Sequence, residues 1–217
     1  MPQAPALTPF PLDVLLGRVA HEWETRQRIF DLPTARFWKS ADGVDLSMDF
    51  LGRPAATPVG PAAGPHSQMA QNIVLGWLAG ARVFELKTVQ VLDDLDIARP
   101  CIDMADEGYN CEWSQELSLD VSFSEYADAW AAIRVLQAQA GFDPTADPGF
   151  AFDLSVGYDL AGIRSDPMRR FLDRMAAPRD EIAARLQAAT DLRPRGADIP
   201  LPSELARSVT LSTMHGC

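Results

Sequence analysis

Hydrophobic residues recur first at helical spacing and then at strand spacing in the opening part of the chain. Over residues 12–30 the apolar positions lie three to four residues apart with charged residues between them, and Pro33 follows. This pattern predicts an amphipathic helix. Over residues 44–50 apolar residues alternate with Asp and Ser, and the sequence Gly-Arg-Pro comes directly after Leu51. The alternation predicts a half-buried strand in a hairpin ahead of the main sheet.

From residue 57 onward, short apolar runs alternate with helix-like segments. A strand in TPVGPAAG (57–64), a helix over 67–78 and a strand in ARVFELKTV (81–89) would form a βαβ unit, whose two strands must be parallel. After an irregular acidic segment, the pattern repeats as a helix over 124–140, a strand in GFAFDLSVGY, a helical segment over 168–189 that Pro178 divides, and a strand in RSVTLSTMHGC. The sequence therefore predicts a parallel α/β fold.

Two architectures fit four parallel strands with intervening helices. One is the N-terminal half of a (β/α)8 TIM barrel preceded by a helix and a β-hairpin, and the other is a compact open sheet. The strand pattern favours neither. In the barrel interpretation, residues 1–40 are a helical extension, and residues 41–217 are a partial barrel of about four βα units that stops directly after its fourth strand.

Composition narrows the class of protein. The 217 residues are 47% hydrophobic, which suffices for a buried core, and the net charge of −11 argues against nucleic acid as a partner. No basic leader precedes an apolar run, and no window reaches the ~18 apolar residues of a membrane span. Three cysteines are too few for a disulfide framework. We therefore expect a cytoplasmic protein that binds neither nucleic acid nor a membrane.

Candidate chemistry lies at the ends of the first two strands of the main sheet. Ala62, Ala63 and Gly64 keep side chains off the first strand end, which would let a planar cofactor approach the main chain. Lys87 and Thr88 end the second strand and would place a cation and a hydroxyl at the same edge. Close packing at the turn and a solvated strand end at the lysine are the structural alternatives.

Other polar residues carry weaker signals. His66 could touch a phosphate or substrate, or it could cap the next helix. His215 could lower the thiol pKa of Cys217. Cys101 and Cys111 have no further cysteine or histidine to complete a metal site, so we expect no metal and assign both as structural or exposed thiols.

Taken together, four stretches resemble the N-terminal part of the selenate reductase subunit family. These bacterial flavin and iron–sulfur oxidoreductases have a barrel similar to those of dihydropyrimidine and dihydroorotate dehydrogenases. The resemblance runs from about Val44 to Cys217. The stretches are TPVGPAAGPHSQMAQNIVLGWLAGARVFELKTVQ, RPCIDMADEGYNCEWSQELSL, FDLSVGYDLAGI and SVTLSTMHGC.

The resemblance implies an FMN-binding TIM barrel and a role for each matching position. Residues 62–64 would line the isoalloxazine ring, and Lys87 with Thr88 would contact the flavin near the substrate. Asn110 falls where the related dehydrogenases bind substrate, and Cys217 falls at the position of their catalytic cysteine. Ser212, Thr213 and His215 replace the asparagines expected around that cysteine.

The resemblance also implies what lies outside these residues. Iron–sulfur clusters and FAD or NADPH would belong to modules downstream of the barrel. A small-molecule substrate, redox partner subunits or a homo-oligomer would be the partners. Three functions stay open on the sequence: an FMN-dependent oxidoreductase that transfers hydride between flavin and a small substrate, a non-catalytic half-barrel fragment, and an open-sheet binding protein.

Overall fold

The computed structural model describes residues 8–40, 43–91, 102–103, 109–110, 117–138, 149–189 and 198–213. The helices are α1 (Leu12–Arg26), α2 (Ala70–Leu78), α3 (Leu119–Gln137), α4 (Leu160–Ile163), α5 (Asp166–Ala176) and α6 (Arg179–Ala188). The strands are β1 (Arg28–Ile29), β2 (Leu32–Pro33), β3 (Met48–Phe50), β4 (Arg53–Ala55), β5 (Val83–Glu85), β6 (Ile102–Asp103), β7 (Tyr109–Asn110), β8 (Ala151–Tyr158) and β9 (Ala206–Thr213).

The main sheet is parallel and follows chain order. Strand β8 pairs with β5 on one side and with β9 on the other. The segment 57–61 lies beside β5, because the N–H groups of Arg82 and Glu85 donate to the carbonyl oxygens of Val59 (2.8 Å) and Pro61 (3.2 Å). A doubly wound sheet reverses its strand order at a switch point, whereas a barrel adds strands in sequence. The observed order is that of a barrel, and the described strands form an open part of it.

The strand predicted in residues 57–64 is not formed, and residues 57–61 run beside β5 as a hydrogen-bonded segment outside any strand. A glycine sets the close approach of this segment to β5. A Cβ atom built on Gly60 would overlap the carbonyl oxygen of Val83. Only glycine lets the segment 57–61 lie this close to β5. Gly60, two residues before the candidate turn 62–64, therefore serves the packing of this segment against β5.

Helix α3 is the central helix against the sheet. It is buried along most of its length, and it packs on α2, α5 and α6. Ser118 caps its N-terminus by accepting a hydrogen bond from the N–H of Val121. Beneath the helices, the rings of Phe84 and Phe152 meet edge to face at 5.7 Å, joining β5 to β8 through the core.

The N-terminal helix ends earlier than its hydrophobic pattern predicts. Helix α1 stops at Arg26 because Gln27 is left-handed (φ 49°). Strand β1 then pairs antiparallel with β2 across Phe30 and Asp31, both at positive φ, as in a tight two-residue hairpin. The Glu22 carboxylate accepts the Phe30 N–H at 2.5 Å and pairs with Arg18 at 2.7 Å. The prediction of a helix through residue 30 was therefore wrong over its last four residues.

Most other elements agree with the sequence pattern within a few residues. The hairpin is confirmed as β3 and β4, although residues 44–47 stay outside the strand with Val44 and Leu46 exposed. A 3-10 turn (Pro65–Gln68) comes before α2, and α3 begins five residues before residue 124. The break at Pro178 is confirmed, since it separates α5 from α6.

Two remaining expectations concern membrane spans and the domain boundary. No helix among the residues described above is both long enough and apolar enough to cross a bilayer. The proposed division of the chain at residue 40 stays a prediction.

Candidate functional site

The candidate residues gather at one edge of the sheet. The turn 62–64 follows the first strand segment, and Lys87 and Thr88 follow β5. Because these strands are parallel neighbours, their carboxyl ends meet at the same edge, which is where barrel enzymes place their chemistry. The structure thus places the turn 62–64 and Lys87–Thr88 at the same edge, while their roles toward a cofactor stay predictions.

Lys87–Thr88 lies in a β-bulge, a feature that the sequence pattern did not show. Glu85 pairs with Asp153 and Val89 pairs with Val156. Four residue steps on one strand thus match three on the other, so one extra residue lies between them. Regular ladder hydrogen bonds flank the extra residue. The Leu86 N–H donates to the carbonyl oxygen of Asp153 at 2.8 Å, and the Val89 N–H donates to that of Ser155 at 2.9 Å. Bulges next to functional sites re-aim side chains, and they are rare between parallel strands.

The bulge holds Lys87 in the interior of the protein. Lys87 is only 6% exposed, and Thr88 is half-buried. The carbonyl oxygen of Lys87 accepts a hydrogen bond from the hydroxyl of Tyr126 on α3 at 3.1 Å. Lysine is seldom buried to this extent without a specific role or partner. The alternative of a solvated strand end is therefore wrong for this residue.

The turn 62–64 is held by its own hydrogen bonds. The Ala63 N–H donates to Glu85 Oε2 at 3.0 Å, and the Gly64 N–H donates to Ser67 Oγ at 3.1 Å. Ala62 is exposed and Ala63 is half-buried. The N–H groups of Ala63 and Gly64 therefore have acceptors within the chain. The role of residues 62–64 beneath a planar cofactor stays a prediction.

His66 lies next to this turn. A Cβ atom on residue 64 would come within 2.7 Å of the His66 ring, so Gly64 leaves room for the imidazole. Gly64 itself is in extended backbone (φ −170°) that any residue adopts. Glycine at position 64 is therefore explained by the space that the His66 ring needs, since its backbone conformation does not require glycine. His66 itself is exposed at this edge.

Two adjacent residues of α3, Glu125 and Tyr126, hydrogen-bond to the start of α2 and to the end of β5. Tyr126 binds the bulge, while Glu125 Oε2 accepts the N–H of Ala70, the first residue of α2, at 2.7 Å. Met69, at the N-cap of α2, makes no side-chain cap, so the Glu125 carboxylate supplies a cap from another helix. The second turn of α3 thus ties the start of α2 to the end of β5.

Glu125 is almost fully buried. Burial raises its pKa to about 7, the negative charge of Asp128 adds to this effect, and the Ala70 N–H opposes it. Beside the carboxylate lies a cavity of about 140 Å³ with mostly apolar walls formed by Phe10, Leu15, Met69, Ala70, Gln71 and Asn72. One helical turn further on, Asp128 pairs with Arg185 Nε at 2.9 Å.

Four candidate residues lie outside the described part of the chain, and Asn110 lies in a separate sheet. Cys217 and His215 lie outside the described residues, as do Cys101 and Cys111. Asn110 lies in β7, which pairs antiparallel with β6 in a separate two-stranded sheet. The roles assigned to Cys217 and Asn110 therefore stay predictions.

Sequence reasoning missed the residues that hold the site together. Glu85 stands in the same ELKTV run that drew attention to Lys87, so its place at the strand end could have been found. Glu125 and Tyr126 gave no signal, because their partners lie 55 and 39 residues away in the chain. Only the packing of α3 brings them to the strand ends.

Parallel strands added in chain order, with polar groups at their carboxyl ends, are typical of a TIM-barrel protein. A family model described as "Oxidoreductase YgfK, N-terminal TIM-barrel domain" matches residues 30–217. The chain belongs to this family, and its predicted fold, the N-terminal half of a TIM barrel, is confirmed. The open-sheet alternative is set aside.

Two relatives support the same assignment. "Putative oxidoreductase YgfK" from Escherichia coli strain K12 is 42% identical over 231 aligned residues, and the protein of that name from Escherichia coli O157:H7 gives the same values. Each alignment covers 97% of this chain. The chain spans only 22% of the length of these curated relatives.

Proposed function

We propose that the polypeptide containing this chain is an FMN-dependent oxidoreductase, and that these residues form the first part of its flavin barrel. The observation that carries the proposal is the buried cation of Lys87, set in a bulge at the carboxyl edge of the barrel strands. Both relatives are named as oxidoreductases. The finer relationship to selenate reductase subunits is part of the proposal.

The described residues suit a flavin in shape and charge. The turn 62–64 presents two methyl groups and a glycine, which a planar ring can cover without a clash. Lys87 lies on the neighbouring strand, and its ammonium group can pair with the electron-rich edge of the ring or with an anionic substrate. FMN, when bound, supplies the centre that accepts or donates hydride.

The remaining candidates would act on the substrate side. The Thr88 hydroxyl can donate or accept a hydrogen bond beside Lys87. Asn110 would bind the substrate, and the sulfur of Cys217 would hold the proton that the substrate loses or gains. We propose a small, heterocyclic molecule as the substrate. Iron–sulfur clusters, FAD and NADPH would belong to other parts of the polypeptide.

The setting is also proposed. We place the enzyme in the cytoplasm, with redox partner subunits or a second copy of itself as its protein partners. Neither nucleic acid nor a membrane is expected to bind it, given the net charge of −11.

The first experiment is to identify the cofactor in the full-length polypeptide. Acid release followed by chromatography separates FMN from any FAD, and one FMN per polypeptide is the expected result. Lys87→Met keeps most of the side-chain volume and removes the charge. Since a hydrogen bond to a charged group contributes roughly 1.5–3 kcal/mol, we expect FMN affinity to fall by roughly 10- to 100-fold.

The chain offers a matched control for this variant. Its two lysines are Lys39 and Lys87, and Lys39 is exposed. Lys39→Met should leave FMN affinity unchanged. A full-length polypeptide without FMN would refute the proposed function, and equal affinity in both variants would remove Lys87 from the site.

A further inference from the structure

Helix α3 reaches the bulge through one hydroxyl group. Tyr126 is fully buried, and its hydroxyl donates to the carbonyl oxygen of Lys87 at 3.1 Å. The extra residue of the bulge interrupts the regular ladder between Glu85 and Val89. A carbonyl at such an interruption needs a donor from outside the ladder, because a buried backbone oxygen left unpaired is costly.

The hydroxyl and the carbonyl satisfy each other. A buried tyrosine needs a partner for its O–H group, whereas phenylalanine would fill the same space without this demand. Burial, together with the nearby charge of Glu125, raises the pKa of Tyr126, so the hydroxyl stays protonated and remains a donor. Two other buried polar residues of α3, Glu125 and Asp128, bind helices α2 and α6. The hydroxyl of Tyr126 is directed instead at the end of β5, which ties this residue to the bulge.

We propose that Tyr126 is a positioning residue for the candidate site, whose hydrogen bond to the Lys87 carbonyl fixes the Lys87–Thr88 bulge and so sets the direction of the lysine side chain. A one-residue change of register turns each side chain of a strand to the opposite face. The hydrogen bond from α3 opposes such a slip. The consequence for flavin binding rests on the proposed function, whereas the positioning of Lys87 does not.

The test compares two variants that each delete one buried hydroxyl. Tyr126→Phe removes the bond at the carboxyl end of β5. Thr57→Val removes the bond from Thr57 Oγ1 to the Gly80 carbonyl oxygen, 2.7 Å long, at the amino end of the same pair of strands. Both changes keep the side-chain shape and lose a comparable hydrogen bond. They differ in which end of the sheet they affect.

The first readout needs no flavin. Full-length protein is treated with acetic anhydride, and the acetylation rates of Lys87 and Lys39 are compared by peptide mass spectrometry. Lys39 is exposed and serves as the internal reference. We expect Tyr126→Phe to raise the relative rate at Lys87 by roughly two- to tenfold, the range that corresponds to the loss of one neutral hydrogen bond. Thr57→Val should leave the ratio unchanged.

The second readout is the flavin. Tyr126→Phe should weaken FMN binding by a similar factor and shift the visible spectrum and midpoint potential of the bound cofactor, while Thr57→Val should change none of these. Urea unfolding midpoints confirm that both variants fold. An unchanged Lys87 rate in Tyr126→Phe, or an equal rise in both variants, would overturn the positioning role. A higher Lys87 rate in a protein that never binds FMN would support positioning and refute the proposed function.

Discussion

The buried carboxylate of Glu125 predicts a stability that depends on pH in a specific direction. Its pKa is about 7 in the folded chain, against an ordinary value of 4.5 for a glutamate. Between these values the folded state binds more protons than the unfolded state, so the free energy of unfolding falls as pH rises through this window. The difference corresponds to at most about 3 kcal/mol.

The substitution Glu125→Gln isolates this effect. Glutamine keeps a carbonyl oxygen for the Ala70 N–H and carries no charge that must leave water. At pH 8, where Glu125 is ionised, we expect the variant to be more stable than the parent by about 1–3 kcal/mol. At pH 4, where the carboxyl group is protonated, the two chains should agree within about 1 kcal/mol, because an amide then replaces a neutral acid.

Urea unfolding at a series of pH values measures both quantities. Groups that do not interact with Glu125 contribute equally to parent and variant and cancel in the difference. Asp128 is coupled to Glu125, so the measured difference reports the titration of this carboxylate pair. Glu24→Gln is the matched control, because Glu24 is exposed on α1 and the change should stay within about 0.5 kcal/mol at each pH. A stability difference for Glu125→Gln that does not vary with pH would refute the reasoning.

Further predictions concern packing and ion pairs. Gly60→Ala should destabilise the chain by at least about 2 kcal/mol because its Cβ would overlap a main-chain oxygen of β5, whereas Gly17→Ala in α1, with open space around the new methyl group, should stabilise it by about 0.5–1 kcal/mol. Thermal and urea unfolding measure both; equal effects would contradict the packing argument. Arg185→Leu leaves the buried Asp128 unpaired and should cost about 3 kcal/mol, while Arg169→Leu breaks an exposed pair and should cost less than about 1 kcal/mol. Similar losses of unfolding free energy in the two variants would show that burial does not determine how much an ion pair contributes to stability.

Strands β5, β8 and β9 could be predicted from sequence because they depend on local composition, whereas their order could not, since the strand pattern fitted both a barrel and an open sheet. The runs around Phe84 and Phe152 are rich in apolar, strand-forming residues, and both phenylalanine rings are buried. Pro178 gave the break between α5 and α6 for an equally local reason, since proline cannot continue a helix. The end of α1 was missed because the left-handed Gln27 carries no compositional signal.

The residues of the candidate site likewise fall into those that the sequence predicted and those that it missed. Lys87 and the turn 62–64 were found because they stand at the ends of recognisable strands. The bulge was not found, since it exists only as a difference in count between two strands that are far apart in the chain. Glu125 and Tyr126 were missed because each acts on a partner that only the packing of α3 brings close.

The bulge has a consequence for how sequences of this family can be aligned. In terms of the sheet, the extra residue at Lys87–Thr88 is a one-residue insertion into an otherwise regular strand. Loss of that residue would restore a continuous ladder with β8 and leave the hydroxyl of Tyr126 facing a strand that no longer needs it. A gap at this position would therefore separate two kinds of relative. One would keep the lysine in its present direction, and the other would have a straighter strand without this site.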